Sequence, residues 1–364
     1  TLYVSRDPFG IRPLFISNEK SVIYLSSELK PLVNLKSVDW VYPGTILEVV
    51  PNQPILYHKY FHLSSPEILI NDVYYENVYE IRKLLINSVK KRCLSDRPIA
   101  ALLSGGLDSS IICSILSKHL QGQQLNTFSI GIKDSPDLKY ARIVADYLGT
   151  KHHEIICTEE DFTNNSYDIT SVRASIGNWL LGQYISKNTD FKVIFNGDGS
   201  DELFGGYLYM KKAPSNSEFK QEITKLLNEI YMFDVLRSDR SMTAHGLEPR
   251  TPFLDKEFVT YVYNNIPIGY LRSSGIQIEK QLLRQAFVDY LPKEILERKK
   301  EAFSDGVINI NSKPWYKSFN EKEYYLDIFK KHYPNNENII KHYWMPNWSP
   351  ETKDPSARTL TNYS

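Results

Sequence analysis

The sequence predicts an α/β fold in which an antiparallel β region precedes a parallel sheet and a helical C-terminal part. Residues 1–62 consist of short alternating apolar runs separated by Pro, Gly and Asn turns, as in antiparallel sheets. From Val78 onward, short buried runs alternate with amphipathic helices, which is typical of a parallel sheet. After about residue 205 the pattern is helical and rich in Tyr and Trp.

The antiparallel region is expected to form one domain, residues 1–62, and residues 63–77 are expected to link it to a second domain, residues 78–364. A helix is predicted to start at Val78, because apolar residues recur from there at helical spacing. The strands predicted in the first domain are Leu2–Ser5, Leu14–Ser17, Val22–Leu25 and Thr45–Val50.

The second domain alternates between predicted strands and helices. In a parallel sheet of this kind, ligands bind beyond the carboxyl ends of the strands. Ser104, Ile130 and Gly197 lie at such ends, so the site is expected there. The strands are predicted at 98–103, 126–132, 153–157 and 192–196, and the helices at 109–120, 137–148 and about 175–188.

The composition argues against a nucleic-acid or membrane protein. Lys plus Arg and Asp plus Glu both total 43, so the formal net charge of the 364 residues is zero. No apolar run reaches the length of a membrane span, and no secretory signal is visible. The cysteines Cys93, Cys113 and Cys157 are too few and too scattered for a disulfide framework or a zinc site. Buried, inert thiols are expected at Cys113 and Cys157, in a reducing, cytoplasmic setting.

The most specific motif is the glycine-rich segment Leu102–Ser110, which follows a predicted buried strand and leads into a helix with apolar periodicity. Backbone N–H groups and the positive end of such a helix attract anions, and a carboxylate there can bind a Mg²⁺ ion that bridges phosphates. The Walker spacing is absent, and the pattern resembles the SGGxDS loop of ATP pyrophosphatases. The alternative is a serine-capped turn without a ligand. The predicted phosphate-binding residues are Ser104, Gly105, Gly106, Asp108, Ser109 and Ser110.

A second loop, Asn196–Glu202, also follows a buried strand and carries three carboxylates, at Asp198, Asp201 and Glu202. If the two preceding strands share one sheet, Asp108 and Asp201 face each other across the phosphates. Paired carboxylates and phosphate oxygens are a normal environment for Mg²⁺, so these two residues are the predicted metal ligands. The alternative is a glycine turn with acidic caps for the next helix.

Two further segments carry reactive residues with less specific spacing. Arg298–Gly306 contains Lys300, which would neutralise charge on a leaving pyrophosphate if it reached the polyphosphate. By spacing alone, a solvated basic turn is the favoured interpretation of this segment. His152 and His153 begin an alternating strand and face opposite sides, so they cannot share a metal, and structural or exposed roles are expected.

With these motifs assembled, the chain resembles the glutamine-hydrolysing asparagine synthetase family over nearly its whole length. Two N-terminal segments match the later part of the family's glutaminase domain, and the other segments match its synthetase domain. Besides the phosphate loop, the matching segments are Arg6–Leu14, Ser26–Lys30, Ser135–Leu138, Tyr167–Ser175, Gly205–Tyr207, Pro252–Asp255, Lys300–Gly306 and Asp354–Leu360.

The resemblance implies a two-step ligation. ATP activates the β-carboxylate of aspartate as β-aspartyl-AMP and releases pyrophosphate, and ammonia then attacks to give asparagine and AMP. The implied fold is a partial glutaminase-type domain followed by an ATP pyrophosphatase domain. By position, the resemblance assigns the adenosine part of ATP to the backbone of Leu103, Ile130 and Gly197 with Asn196 beside them, the pyrophosphate to Lys300, and aspartate to Thr170, Ser171 and Arg173.

Two departures from the family pattern affect these expectations. The synthetase loop of the family usually reads SGEGSDE, and here Asp198 replaces the Glu, with a side chain that is one methylene shorter. If this carboxylate helps to form the intermediate or to deprotonate ammonia, as expected of a catalytic residue, a shift of about an ångström costs roughly a hundredfold in rate. The family's N-terminal nucleophilic cysteine is also absent, so the chain as given is expected to use only ammonia.

The sequence begins within a strand and without Met, and the stretches Cys157–Tyr167 and Phe319–Asn320 are shorter than in the family. Unrecorded residues are the favoured interpretation of all three features, over true deletions. The alternatives to an asparagine synthetase are another amide-forming adenylating enzyme, such as a β-lactam synthetase-like protein, and a non-catalytic nucleotide-binding relative. The expected ligands and partners are ATP, Mg²⁺, aspartate, glutamine or ammonia, and a second copy of the chain.

Overall fold

The computed structural model describes residues 1–20, 22–63, 73–120, 122–157, 172–272, 278–299 and 321–336, with 339, 347 and 348. It confirms the predicted fold class: two small antiparallel sheets precede a five-stranded parallel sheet covered by helices. Within these ranges, no helix is both long enough and apolar enough to cross a membrane.

The N-terminal region forms two three-stranded antiparallel sheets, with strand orders β1-β5-β6 and β3-β2-β4. Alternation places Thr45, Leu47 and Val49 on the buried face of β5, as the sequence pattern requires. The strands are β1 (Leu2–Ser5), β2 (Phe15–Glu19), β3 (Val22–Ser26), β4 (Val38–Trp40), β5 (Thr45–Val49) and β6 (Leu56–Lys59).

The parallel sheet has the order β11-β10-β7-β8-β9. The chain runs from β7 outward to β8 and β9 on one side, and then returns to β10 and β11 on the other side. The strand order therefore reverses between β7 and β10, which is where open α/β sheets bind ligands. The strands are β7 (Ile99–Leu102), β8 (Asn126–Gly131), β9 (Lys151–Ile156), β10 (Val193–Phe195) and β11 (Glu248–Arg250).

Helices cover the sheet and form most of the C-terminal part. The described α-helices are α1 (Tyr74–Lys91), α2 (Leu107–His119), α3 (Pro136–Leu148), α4 (Val172–Asn188), α5 (Ser200–Phe204), α6 (Asn216–Glu229), α7 (Asp234–Thr243), α8 (Lys256–Asn265), α9 (Ile268–Leu271), α10 (Gln281–Ala286), α11 (Lys293–Leu296) and α12 (Glu321–His332). Short 3₁₀ turns occur at Lys30–Leu32, Leu208–Lys212, Ile230–Met232 and Pro252–Leu254.

The predicted elements are present, with shifted ends and three omissions. Helix α1 begins at Tyr74, inside the stretch predicted as a linker. Strands β4, β6 and β11 were not predicted from the sequence. All four residues of β6 are exposed, so no alternation marks it. Strand β11 contains Pro249, a residue that argues against a strand but is tolerated here because β11 is at the edge of the sheet.

One cluster of buried side chains spans both predicted domains. It contains Phe15 and Trp40 of the antiparallel region together with Phe128 and Phe195 of the parallel sheet. The Trp40 ring packs edge-on against Tyr231, with ring centroids 5.2 Å apart. The N-terminal region is therefore packed onto the helical part through a shared apolar core. As predicted, two of the cysteines are buried in it, Cys113 and Cys157.

His152 and His153 have separate partners, as expected for two residues on opposite sides of a strand. His152 contacts the hydroxyls of Thr127 and Ser129 through its two ring nitrogens, at 2.9 and 3.1 Å. His153 stacks on the Phe128 ring, with centroids 4.6 Å apart. Burial lowers the pKa of His152 to about 4.

The lowered pKa of His152 predicts a loss of stability in mild acid. The unfolded imidazole binds a proton near its ordinary pKa of about 6.5, whereas the folded one stays neutral until about pH 4. The contribution of neutral His152 to the free energy of unfolding is therefore complete above about pH 6.5. It declines by roughly 3 kcal/mol as the pH falls to about 4. Urea unfolding at about pH 7.5 and about pH 4.5 should show a larger loss for the wild type than for His152→Gln. Equal losses of unfolding free energy in the wild type and in His152→Gln would show that His152 does not cause the acid sensitivity.

Candidate active site

Two loops meet at the point where the strand order of the parallel sheet reverses. One follows β7 and leads into α2, and the other follows β10 and leads into α5. A Cβ atom on Gly197 would lie 3.0 Å from the Cβ of Asp108 and 3.1 Å from the backbone nitrogen of Ser109. A Cβ at this position would require the facing loop to shift by a few tenths of an ångström, so glycine suits the close approach. The structure thus brings together the two segments that the sequence singled out.

A buried lysine connects the two carboxylates predicted as metal ligands. The Lys280 Nζ lies 2.6 Å from Asp108 Oδ2 and 2.6 Å from Asp201 Oδ1. The hydroxyl of Ser200 donates to the other oxygen of Asp108 at 2.7 Å. The Lys280 side chain is only 2% exposed. Because both carboxylates contact one ammonium group, they lie close enough together to share a single cation.

Lys280 was not predicted from the sequence as a site residue. It lies 172 positions from Asp108 along the chain, outside both loops. Its backbone is left-handed, with φ of 59°, which is uncommon for a residue other than glycine. No local pattern marks this lysine, because its role depends on a contact between distant segments.

Gly206 packs directly against this ion pair. A Cβ atom added at Gly206 would overlap Asp201 Oδ1 and Lys280 Cε. We therefore expect Gly206→Ala to displace the pair and to lower the free energy of unfolding by about 1–3 kcal/mol, the usual cost of overpacking. Gly269→Ala is the matched control, because a Cβ there meets nothing within 4 Å. Urea unfolding measures both variants, and equal stability of Gly206→Ala and the wild type would contradict the packing argument.

The serine hydroxyls of the phosphate loop hold the loop in shape. The Ser104 and Ser109 hydroxyl oxygens lie 3.1 Å apart, and the Ser109 hydroxyl also accepts a hydrogen bond from the Ser104 N–H at 3.2 Å. The Gly106 N–H donates to the Ser104 hydroxyl at 3.3 Å. Ser110 is buried, and its hydroxyl has no hydrogen-bond partner among the described residues. Gly105 has φ of 70°, a conformation that favours glycine.

The carboxylate of Asp198 is held by side chains from two elements. Its Oδ2 accepts hydrogen bonds from Asn196 Nδ2 at 2.7 Å and from the Ser238 hydroxyl. Its Oδ1 accepts a hydrogen bond from Arg237 Nη2 at 3.1 Å. Burial raises the pKa of Asp198, and the positive charge of Arg237 acts in the opposite direction. Arg237 and Ser238 were not predicted from the sequence, because both lie on α7, outside either loop.

Glu202, the third carboxylate of this loop, lies in a more buried position. It accepts a hydrogen bond from the Tyr207 hydroxyl at 2.6 Å. Burial raises its pKa well above the ordinary value, and the negative charges of Asp234 and Asp201 raise it further. The three acidic residues of the loop therefore have different environments. Asp201 faces Lys280, whereas Glu202 accepts its hydrogen bond from a neutral tyrosine hydroxyl.

Arg298 is buried, whereas a solvated turn was the interpretation favoured by the spacing of its segment. Its side chain is 7% exposed and lies 2.8 Å from Asp137 Oδ1. Nη1 of Arg298 donates to the carbonyl oxygen of Ser104 at 3.4 Å, and the guanidinium lies over the Tyr140 ring at 4.2 Å. That interpretation is therefore wrong for Arg298, which anchors the beginning of the basic segment to the phosphate loop.

The other predicted site residues are placed as follows. Leu103 is buried at the end of β7, and its N–H donates to the carbonyl oxygen of Phe128 at 2.8 Å. Ile130 is buried near the end of the neighbouring strand β8. Lys300, Thr170 and Ser171 lie outside the described residues, and Arg173 lies on α4 with its side chain outside them.

Comparison with known proteins identifies relatives along the whole chain. The asparagine synthase family model matches residues 80–226 and 214–343. The chain is 42% identical over 427 residues to the asparagine synthetase [glutamine-hydrolyzing] of Rattus norvegicus, covering 100% of this chain and 75% of the relative. The human protein of the same name is 41% identical over 430 residues, with the same coverage.

Similarity to solved structures is weaker. The NMN synthetase from Francisella tularensis aligns with a TM-score of 0.35 and 12% identity, covering 76% of this chain and 100% of that chain. These values add nothing to the fold assignment, which rests on the strand order and on the family match.

Proposed function

The chain belongs to the asparagine synthetase family, and on that premise we propose that the two loops and Lys280 form the site where aspartate is activated by ATP. The reaction is the ATP-dependent amidation of aspartate to asparagine, with AMP and pyrophosphate as the other products. The observation that carries the proposal is the convergence of Asp108 and Asp201 on one buried cation beside a phosphate-type loop.

The chemistry requires activation because a free carboxylate does not react with ammonia. In the first step a β-carboxylate oxygen of aspartate attacks the α-phosphorus of ATP, and the bond to pyrophosphate breaks. Ammonia then attacks the acyl carbon of β-aspartyl-AMP, and AMP leaves with the electrons of the broken C–O bond. Adenylation depends mainly on positioning and charge neutralisation, which the glycine-rich loop and its neighbouring charges are suited to provide.

Mg²⁺ fits the two carboxylates, since hard oxygen ligands close to one another are the donors that it prefers. We propose that Asp108 and Asp201 hold it. When bound, the ion neutralises phosphate charge and orients the polyphosphate. Lys280 already neutralises the same carboxylates, so it lies where it can adjust the charge of the site as the nucleotide enters.

The remaining assignments follow from the position of each residue in the family's motifs. We propose that Leu103, Ile130, Asn196 and Gly197 hold the adenosine part and that Lys300 neutralises the leaving pyrophosphate. The residues proposed to hold the phosphates are Ser104, Gly105, Gly106, Asp108, Ser109 and Ser110. We assign aspartate to Thr170, Ser171 and Arg173, and a catalytic role to Asp198.

We also propose a division of the chain into a glutaminase-type region, residues 1–62, and a synthetase domain, residues 78–364. A homodimer and a cytoplasmic setting remain part of the proposal. Glutamine is the nitrogen source named for the relatives, and ammonium can replace it in a direct assay of the synthetase site.

The proposal is tested by pyrophosphate release from ATP with Mg²⁺, with and without aspartate, and with ammonium or glutamine as donor. We expect pyrophosphate release to depend on aspartate, and asparagine to form with ammonium. Activity with glutamine would show a glutaminase function in the protein used. Absence of aspartate-dependent release with either donor would refute the proposed substrate, and release with another carboxylic acid would indicate a different adenylating enzyme.

A further inference from the structure

We propose that Ser238 and Asn196 are positioning residues that fix the Asp198 carboxylate, and that all three form a set matched to the short aspartate side chain. This inference rests on the proposed function, because it concerns how Asp198 is presented to the reaction. Neither Ser238 nor Asn196 has to contact substrate for this role.

Hydrogen-bond donors surround the carboxylate of Asp198. Asp198 Oδ2 accepts from Asn196 Nδ2 at 2.7 Å and from the Ser238 hydroxyl. Asn196 Nδ2 also lies 3.1 Å from the Ser238 hydroxyl oxygen, so the three side chains form a closed triangle. Arg237 occupies the other oxygen at 3.1 Å. A carboxylate with partners on both oxygens has one preferred orientation.

The two hydrogen-bond partners of Oδ2 are themselves held in place. Asn196 is 6% exposed and Ser238 is 2% exposed. Asn196 directly follows β10, and its N–H donates to the carbonyl oxygen of Arg250 at 3.1 Å. Ser238 lies on α7, which packs against α4. Two independent elements therefore support the same oxygen, while the Asp198 side chain itself keeps 16% of its surface exposed.

The space around the carboxylate fits the length of an aspartate side chain at position 198. Glutamate at this position would carry its carboxylate about 1.5 Å further from the backbone, the length of one added carbon–carbon bond. The Ser238 hydroxyl and the Asn196 amide already lie at hydrogen-bond distance from Oδ2, so the longer side chain has no room in the same direction. Removal of the Ser238 hydroxyl creates space beside it. The departure from the family's glutamate is thus accommodated by these neighbours.

Four variants test the inference: Ser238→Ala, Asp198→Glu, the double variant Asp198→Glu/Ser238→Ala, and Ser241→Ala as control. Ser241 is the matched control because it is a buried serine on the same helix, and its hydroxyl donates to the carbonyl oxygen of Ser175 at 3.4 Å, away from Asp198. Aspartate-dependent pyrophosphate release gives kcat and the KM values for ATP and aspartate, and thermal unfolding gives stability.

We expect Ser238→Ala to lower kcat about tenfold with the KM for ATP within about twofold of wild type, because a misplaced group affects the chemical step. Ser241→Ala should keep the wild-type kcat. Asp198→Glu should lose about a hundredfold in kcat, and the double variant should recover at least about tenfold of that loss. If Ser238 had only a structural role, Ser238→Ala would lower the unfolding temperature, and the double variant would not recover kcat.

Three results would overturn the inference. They are a wild-type kcat in Ser238→Ala, equal losses in Ser238→Ala and Ser241→Ala, or additive effects in the double variant. If Asp198→Glu does not fold, the comparison of the two serine variants decides the question alone. A wild-type protein without aspartate-dependent pyrophosphate release would instead refute the proposed function, and the inference with it.

Discussion

Pyrophosphate release is expected to fall about a thousandfold when Asp201 is replaced by asparagine, a loss of roughly 4 kcal/mol of transition-state stabilisation. Asparagine keeps the size of the side chain and removes its charge. The proposed metal site then has only Asp108, and the attraction between Lys280 and residue 201 is lost. Both changes reduce the neutralisation of negative charge on the leaving pyrophosphate.

The control for Asp201→Asn is Asp146→Asn, because the Asp146 side chain is 71% exposed and its contact with Arg142 is long, at 4.0 Å. The assay measures initial rates of pyrophosphate release over a range of Mg²⁺ concentrations, and thermal unfolding monitors the fold. A rate within tenfold of wild type at saturating Mg²⁺ would argue that Asp201 is not a metal ligand. An equal loss in Asp146→Asn would point to a nonspecific effect of charge.

Replacement of Lys280 by methionine is expected to give the largest loss of stability, about 3 kcal/mol. The substitution leaves Asp108 and Asp201 near each other without their shared cation. Breaking a buried ion pair commonly costs about 3–5 kcal/mol, and we expect the lower end because both carboxylate side chains are 14% exposed. Urea unfolding in the absence of divalent ions measures the change.

A divalent ion should recover part of this loss. If the two carboxylates can hold a metal, Mn²⁺ should raise the unfolding temperature of Lys280→Met more than that of the wild type, since binding to the folded state alone stabilises it. Lys293→Met is the control, because Lys293 is 81% exposed and its ion pair with Glu297 is exposed to water. Unchanged stability of Lys280→Met would contradict the assigned role of the ion pair.

The sequence predicted the loops well because their signals are local. Glycines, small polar residues and a preceding apolar run lie within a few positions of one another in both segments. The same patterns placed both loops at the carboxyl ends of parallel strands, as the structure has them. Hydrophobic periodicity likewise marked α1, although its start at Tyr74 lies in a stretch without a capping residue.

The missed residues act through contacts between distant segments. Lys280 reaches Asp108 across 172 positions, and Ser238 reaches Asp198 across 40. Neither has a pattern that separates it from other lysines or serines. Strand β11 was missed for a different reason, because Pro249 is unfavourable in a strand except at an edge. Only the assembled sheet shows that β11 occupies such an edge.

The apolar contact of Trp40 with Tyr231 has a practical consequence for fragments of the protein. Trp40 is 3% exposed, and its indole N–H donates to the carbonyl oxygen of Ile339 at 3.0 Å. A fragment that starts at residue 78 would present the Tyr231 face of its core to water and would lose the hydrogen bond from Trp40 to the Ile339 carbonyl. Exposed patches of this kind promote self-association. We therefore expect the antiparallel sheets to limit self-association by covering this apolar face of residues 78–364.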